Sequence, residues 1–248
     1  MADTNRNVGL ANYVQVLSDP NFYMALLRNV EYVVVVVFFN FVIGFSMALV
    51  CNERFRGNRV LRGVIILPML VIPTAAAILW RFMYNYDIGA INKILTAVHI
   101  PRVDWLGNPH MALPSVLITD IWAWTPWMFL ILLAGLEGLP NETIEAARID
   151  GASGLRLIWS IIIPMMKPIY QVAISLKAID TFRTFDYVWV ITGGGPGSAS
   201  DILSTYIYKT AFKNLEYGYS AAMSLVVMIF TAILAFSVLR GLIVKQGK

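Results

Sequence analysis

Long apolar runs alternate with short polar stretches along this chain. The first run is VEYVVVVVFFNFVIGFSMALV, Val30 to Val50. The second is VIILPMLVIPTAAAILW, Val64 to Trp80, and the third is Leu113 to Leu136. A fourth starts near Ile161, with Pro164 and Pro168 at its entry, and reaches Phe182. The fifth is Ala221 to Leu239. A helix crossing the roughly 30 Å hydrocarbon layer needs about 20 apolar residues. Valine-rich runs can also be buried strands, but strands are much shorter than these segments. The pattern predicts an all-α polytopic membrane protein with about five transmembrane helices.

The connections set an orientation. The tract CNERFRGNRVLRG carries Arg54, Arg56, Arg59 and Arg62. The tract from Glu137 to Lys167 carries Arg148, Arg156 and Lys167, and the tail carries Arg240, Lys245 and Lys248. These regions fall on one side. The opposite regions are about twice as long and hold Arg6, Arg28, Arg81, Lys93, Arg102, Arg183, Lys209 and Lys213. The denser side is expected to be cytoplasmic, which puts the C-terminus inside. Residues 1–29 then form an extracytoplasmic or interfacial segment, and residues 30–248 the membrane domain. One outer connection, from Arg81 to Met111, contains DIGAINKILTAVHIP, an expected short amphipathic helix. The other, from Arg183 to Ser220, contains TGGGPGSAS, an expected tight turn.

Composition agrees with a membrane chain. Of 248 residues, 14% are charged and 58% hydrophobic. Soluble domains average about 25% charged residues. The net charge of +4 fits cytoplasmic Lys and Arg better than nucleic-acid binding. The lone Cys51 builds neither a disulfide framework nor a zinc cluster, and His99 and His110 are isolated, so no metal site is expected. GGGPGSAS lacks the Lys that a phosphate-binding loop requires.

Two regions remain. The segment GLPNETIEAARIDGASGLRLIWSIIIP reads as helix, turn, helix, over about 137–163. Asn141 suits an N-cap, and Glu142 and Glu145 suit the positive helix end. Gly151 permits a left-handed turn, and Ser153 can cap the second helix. Leu155, Ile158, Trp159 and Ile162 are expected on one face of it. Such a hairpin either anchors the chain in the interface or is gripped by a partner. The second region is the polar content of the spans. Lys177, Asp180, Thr181 and Thr184 share a helical face, with Arg183 beside them. Asp120, Trp122, Trp124, Thr125 and Trp127 cluster around Pro126. Ionisable residues inside a membrane usually face a cavity. Aromatic rings with carboxylates and hydroxyls suit a sugar, whereas a bare aromatic belt and a Lys177–Asp180 pair are the structural alternative.

The string EAARIDG, nine residues, then Ile161-Ile162-Ile163-Pro164, resembles the EAA loop of ABC importer permeases. That pattern is E-A-A, three residues, G, nine residues, I-x-L-P; only Ile163 departs from it. SDPNFYMALLRN, RGNRVLRGVIILPMLVIPTAAAILWRFMYN and TFDYVWVITGGGPG are similar to binding-protein-dependent sugar permeases of the maltose-transporter larger-subunit type. The resemblance implies a subunit that is not an enzyme and has no catalytic residues. It implies a coupling helix in which Glu145, Ala146, Ala147, Arg148, Asp150 and Gly151 meet an ATPase. It implies a second homologous permease, two ABC ATPases that bind ATP and magnesium, and an extracytoplasmic solute-binding protein. This chain itself would bind no cofactor. The location implied is a bacterial or archaeal cell (inner) membrane, with the EAA loop cytoplasmic. Among substrate contacts it points to Trp124, Trp127, Lys177, Asp180, Thr181 and Thr184, for a carbohydrate or polyol. A sugar phosphate such as glycerol phosphate is the alternative cargo, since Lys177 and Arg183 could offset a phosphate. An ion-coupled secondary transporter is a further alternative, though no internal repeat supports it. Such permeases usually have six core spans, and the usual first span appears absent here.

Overall fold

The structure, a computed structural model, describes residues 8–53 and 55–246. All regular structure among them is helical. Two uninterrupted helices, α2 (Pro20–Asn52) and α6 (Pro109–Glu137), form the scaffold. Both are long and apolar enough to cross a membrane. Their starts have the same chemistry. Asp19 caps α2 by accepting from the Asn21 amide at 2.8 Å, and Asn108 caps α6 by accepting from the His110 amide at 2.9 Å. Pro20 and Pro109 occupy the first helical position, where no amide hydrogen is needed. Consequently residues 20–29, expected in an extramembrane segment, continue unbroken into the first span. Gly44 lets the two helices touch: a Cβ there would stand 3.0 Å from the Phe129 amide nitrogen.

The second and fourth expected spans are not straight helices. The second consists of α3 (Asn58–Ile66), a 3-10 turn (Leu67–Leu70) and α4 (Pro73–Met83), whose two arms meet at 94°. Pro73 holds Ile72 extended, at φ −57° and ψ 134°, and so ends the first arm. The fourth consists of α8 (Gly154–Leu157), a π-helical stretch (Ile158–Ile162), α9 (Ile163–Met165) and α10 (Lys167–Phe182). It bends by 72° at Met166, between Pro164 and Pro168. The Pro168 ring has no amide to give and crowds the carbonyl four residues back. Counting each bent pair as one span gives up to four among the described residues. The expected fifth span lies within α13 (Tyr217–Gln246), whose described apolar stretch is Tyr217–Ile233. Arg6, Arg54 and Lys248 lie outside the described residues, as do the side chains of Arg240 and Lys245.

The outer connections are tied down. The expected amphipathic helix is α5 (Ala90–Ala97). Buried Asn92 holds its loop by donating to the carbonyls of Tyr86 and Val103 and accepting from the Val103 amide and Trp105 Nε1. The expected glycine turn has positive φ at Gly193, Gly194 and Gly197. It is pinned by the 2.7 Å Lys209–Asp201 ion pair, between the turn and α12 (Leu203–Phe212). A side chain at Gly194 would collide with both ions.

Asp19 also fastens the N-terminal end of α2 to the C-terminal helices. Its Oδ2 accepts from the Tyr206 and Tyr219 hydroxyls, each at 2.6 Å. Burial pushes this carboxyl up, but the tyrosine hydroxyls and the Asn21 and Phe22 amides outweigh burial. They hold it below its ordinary value of 3.8. A depressed folded-state pKa contributes stability above the unfolded value and loses it as pH falls through the folded one. The thermal-stability gap between wild type and Asp19→Asn, measured in detergent, is therefore expected to be constant from about pH 8 to 5 and to shrink only below that. A gap that closes near neutral pH contradicts the assignment. Gly44→Leu is expected to lower the melting temperature by several degrees, as overpacking costs about 1–3 kcal/mol. An unchanged melting temperature would remove Gly44 from the crossing.

Candidate functional site: a polar cavity and an exposed hairpin

The C-terminal turns of α10 present Lys177, Asp180 and Thr181 to a cavity of about 290 Å³, and Thr184 reaches it from the link just past the helix end at Phe182. The expected face is helical for Lys177, Asp180 and Thr181, whereas Thr184 lies beyond the helix and joins them from the following link. Asp120 and Trp124, one turn apart on α6, close the opposite wall. Pro73 at the start of α4 and residues 183–187, which lead into α11 (Asp186–Ile191), complete it.

A buried ion pair organises this cavity. Lys177 is 2% exposed and Asp120 1%. Lys177 Nζ stands 3.5 Å from Asp120 Oδ1 and 3.7 Å from Asp180 Oδ2. It also lies over the Trp124 ring, 4.5 Å from its centre. Tyr32, from α2, donates its hydroxyl to Asp120 Oδ2 at 2.8 Å. The pairing expected with Asp180 alone is thus shared, and the more buried partner is Asp120. Of the cavity-lining side chains, Thr181 Oγ1 has no hydrogen-bond partner, and Asp120 Oδ1 has none beyond its ion pairing with Lys177. Both residues line the cavity, so a hydroxyl-bearing guest could bond the Thr181 hydroxyl and share the Asp120 carboxylate with Lys177.

The aromatic cluster around Pro126 divides. Trp124 faces the cavity. Trp127 lies on the same helical side but three residues, about 4.5 Å, deeper along the axis, and packs in the inner core near Phe129 and Met166. Trp122 and Thr125 line a separate apolar groove of about 810 Å³ between α2, α3, the 3-10 turn and α6. Trp122 stacks edge-on against Trp80, and Thr125 donates to Asn40 Oδ1 at 2.9 Å. Tyr32 and Tyr187 escaped the sequence reading. Tyr32 belongs to a buried stripe on α2, Asn29, Tyr32, Val36 and Asn40, spaced by three and four. That polar stripe inside a valine-rich run is the signal that could have found it.

The hairpin is also present. Helix α7 (Asn141–Ile149) ends at Gly151, whose φ is +84°. The Ala152 amide donates to Ala147 O at 2.9 Å and the Gly151 amide to Arg148 O at 3.1 Å. This double closure is the Schellman motif, and only a residue tolerant of positive φ permits it. Glu145, Ala146, Arg148, Asp150 and Gly151 are exposed, whereas Ala147 is buried against the body. Some details differ from expectation. Pro140, not Asn141, occupies the N-cap, and Ser153 caps α8 with no side-chain bond. Leu155 and Trp159 face outward at 73% and 68% exposure, while Ile162 is buried. The wider π turn at 158–162 shifts the helical phase and splits the expected face. Arg62 braces the base, 2.8 Å from Glu137 and donating to Cys51 O at 2.7 Å.

Among the described residues no group of three or more His, Cys, Asp or Glu could hold a metal. The pair itself yields a prediction. Removing one partner of a buried pair costs about 3–5 kcal/mol, whereas replacing both by apolar groups of similar volume is often close to neutral. Asp120→Leu is therefore expected to destabilise the protein in a detergent melt more than Asp120→Leu with Lys177→Met. A double variant as unstable as the sum of the single ones would show that the two charges are not paired.

Comparison with known proteins agrees with this geometry. Residues 40–245 match the family described as binding-protein-dependent transport system inner membrane component. The chain is 40% identical over 232 residues to the trehalose/maltose transport system permease protein MalF of Thermococcus litoralis, covering 93% of this chain and 77% of that protein. It is 33% identical over 221 residues to the xylose/arabinose import permease protein XacH of Haloferax volcanii, covering 89% of this chain and 70% of that one. Its fold matches a chain of a bacterial ABC transporter involved in import of the acidic polysaccharide alginate, with TM-score 0.87 at 19% identity, over 96% of this chain and 85% of that one. The protein belongs to the binding-protein-dependent transport system inner membrane components, as a permease subunit of an ABC importer and not an enzyme.

Proposed function

We propose that this subunit passes a carbohydrate or related polyol through the 290 Å³ cavity. The observation that carries the reading is the combination of Trp124, Lys177, Asp120 and Thr181 on one wall system inside apolar helices. An aromatic face stacks on the apolar side of a sugar ring, and the charged and hydroxyl groups bond its hydroxyls. Relatives named for trehalose/maltose, xylose/arabinose and sulfoquinovosyl glycerol support this class of cargo. The partners in this reading are a second homologous permease, two ABC ATPases and an extracytoplasmic solute-binding protein. ATP and magnesium reside in the ATPases. The hairpin and the C-terminus face the cytoplasm, and the membrane is a prokaryotic inner membrane.

In this reading the hairpin is the grip. Its exposed Glu145, Arg148 and Asp150 meet an ATPase surface, and the apolar Leu155 and Trp159 widen the contact. Hairpin and cavity are joined by the single bent element from α8 to α10. The first arm leads from the hairpin, and the second carries Lys177, Asp180 and Thr181. Closure of the ATPases on ATP moves the first arm, and the second arm reshapes the cavity. ATP thus biases a two-state equilibrium of the membrane part.

Glu145→Lys is expected to lower uptake about tenfold or more and to lose co-purification of the ATPases, with membrane insertion intact. Gly151→Pro is expected to act the same way, because proline cannot adopt φ +84°. ATP-driven uptake at the wild-type rate in either variant would overturn the coupling role.

A further inference from the structure

The cavity is not electrically balanced. Three carboxylates line it, on Asp120, Asp180 and Asp186, against two cations, on Lys177 and Arg183. Arg183 and Asp186 are both exposed, and their charges cancel in the sum. The lining is left with one negative charge in excess: Lys177 stands between buried Asp120 and Asp180, whose side chain is 53% exposed. Lys177 is engaged by Asp120 at 3.5 Å, by Asp180 at 3.7 Å and by the electron-rich face of Trp124 at 4.5 Å. No interior positive charge is left over to meet an anion. Asp120 Oδ1 has no hydrogen bond beyond its 3.5 Å pairing with Lys177, and as a carboxylate oxygen it can take only a further donor; Thr181 Oγ1 has no partner. Neutral hydroxyls donate as well as accept, whereas ionised carboxylates, sulfonates and phosphates only accept.

Resting on the carbohydrate reading above, we infer that this cavity is a charge filter: it passes uncharged sugar rings and rejects anionic ones. Asp180 and Asp120 are the residues that set the sign. Asp180 is the tunable one, because it is the more exposed carboxylate and Asp120 is held by Tyr32 as well as Lys177. The cavity volume of 290 Å³ equals about ten water molecules at about 30 Å³ each, which is space for one sugar ring at a time. Sugar phosphates are on the excluded side of this filter.

The field of the cavity is measurable without knowing the cargo. Cys51 is the single cysteine and is buried, so Cys51→Ala with Thr184→Cys places one reporter thiol on the cavity wall. In the assembled transporter this thiol is labelled with two methanethiosulfonates of similar size, one trimethylammonium and one sulfonate. Each rate is divided by that reagent's rate with a free thiol in solution. The cationic reagent is expected to be faster on the order of tenfold, as in other clefts lined by one sign of charge. Asp180→Asn is expected to narrow that ratio. Equal rates, or a faster anionic reagent, would overturn the inference. Should Thr184→Cys fail to assemble, Phe185→Cys on the same lining gives the same comparison. Trehalose and glucose 6-phosphate are then tested as protectants. Slowing by trehalose and not by the phosphate is the expected result, and equal protection by both would contradict the filter. A persistent charge ratio with protection by neither would leave the filter standing and remove the carbohydrate reading.

Discussion

Asp120 and Lys177 can be buried inside this bundle only together. In the hydrocarbon layer no water is at hand to solvate a lone carboxylate or ammonium. Breaking such a pair strands the survivor, and the penalty exceeds what the pair contributes over an apolar replacement. The two residues sit on α6 and α10, and Tyr32 adds α2 through its bond to Asp120. Three helices are thereby held in one arrangement at the depth of the cavity. Beside them the Thr181 hydroxyl has no partner, and Asp120 Oδ1 has no hydrogen bond beyond its pairing with Lys177. The arrangement is structural on one side and receptive on the other, as expected for ionisable groups kept inside a membrane protein.

The cavity and the hairpin depend on the same broken helix. A straight fourth span would carry Lys177 and Asp180 rigidly in line with the hairpin. The 72° bend at Met166 and the π turn before it separate the two arms. Breaks of this kind are frequent at functional positions in helices. The bend in the second span has a related consequence. It brings Pro73 to the cavity wall and sets α3 at 94° to α4, so that Arg62 reaches Glu137 and Cys51 O and braces the base of α6.

Much of this was legible along the chain, and the gaps have physical causes. The face formed by Lys177, Asp180 and Thr181 follows directly from helical spacing, because α10 is regular there, whereas Thr184 lies past the helix end at Phe182. The hairpin was legible because Gly151 has to reverse the chain. The prolines of the second and fourth spans were visible, but a proline marks where a helix can bend and not by how much. Trp127 shows the limit of a helical wheel: it shares a side with Trp124 and differs in depth. Leu155 and Trp159 face away from buried Ile162 because Ile158–Ile162 winds as a π turn, and no local residue pattern announced it. Tyr32 was hidden by its neighbours. In VEYVVVVVFFN a single tyrosine reads as apolar until its hydroxyl is seen against Asp120.

In the proposed function, cargo crosses at the polar cavity at the end of α10. The most direct test is a structure of the assembled transporter trapped with ATP analogue, binding protein and a neutral disaccharide. The account predicts density for a sugar ring against Trp124, with its hydroxyls at Asp120, Lys177 and Thr181. Sugar density elsewhere, for instance beside Trp127, with the Asp120–Lys177 pair closed and undisturbed, would contradict it.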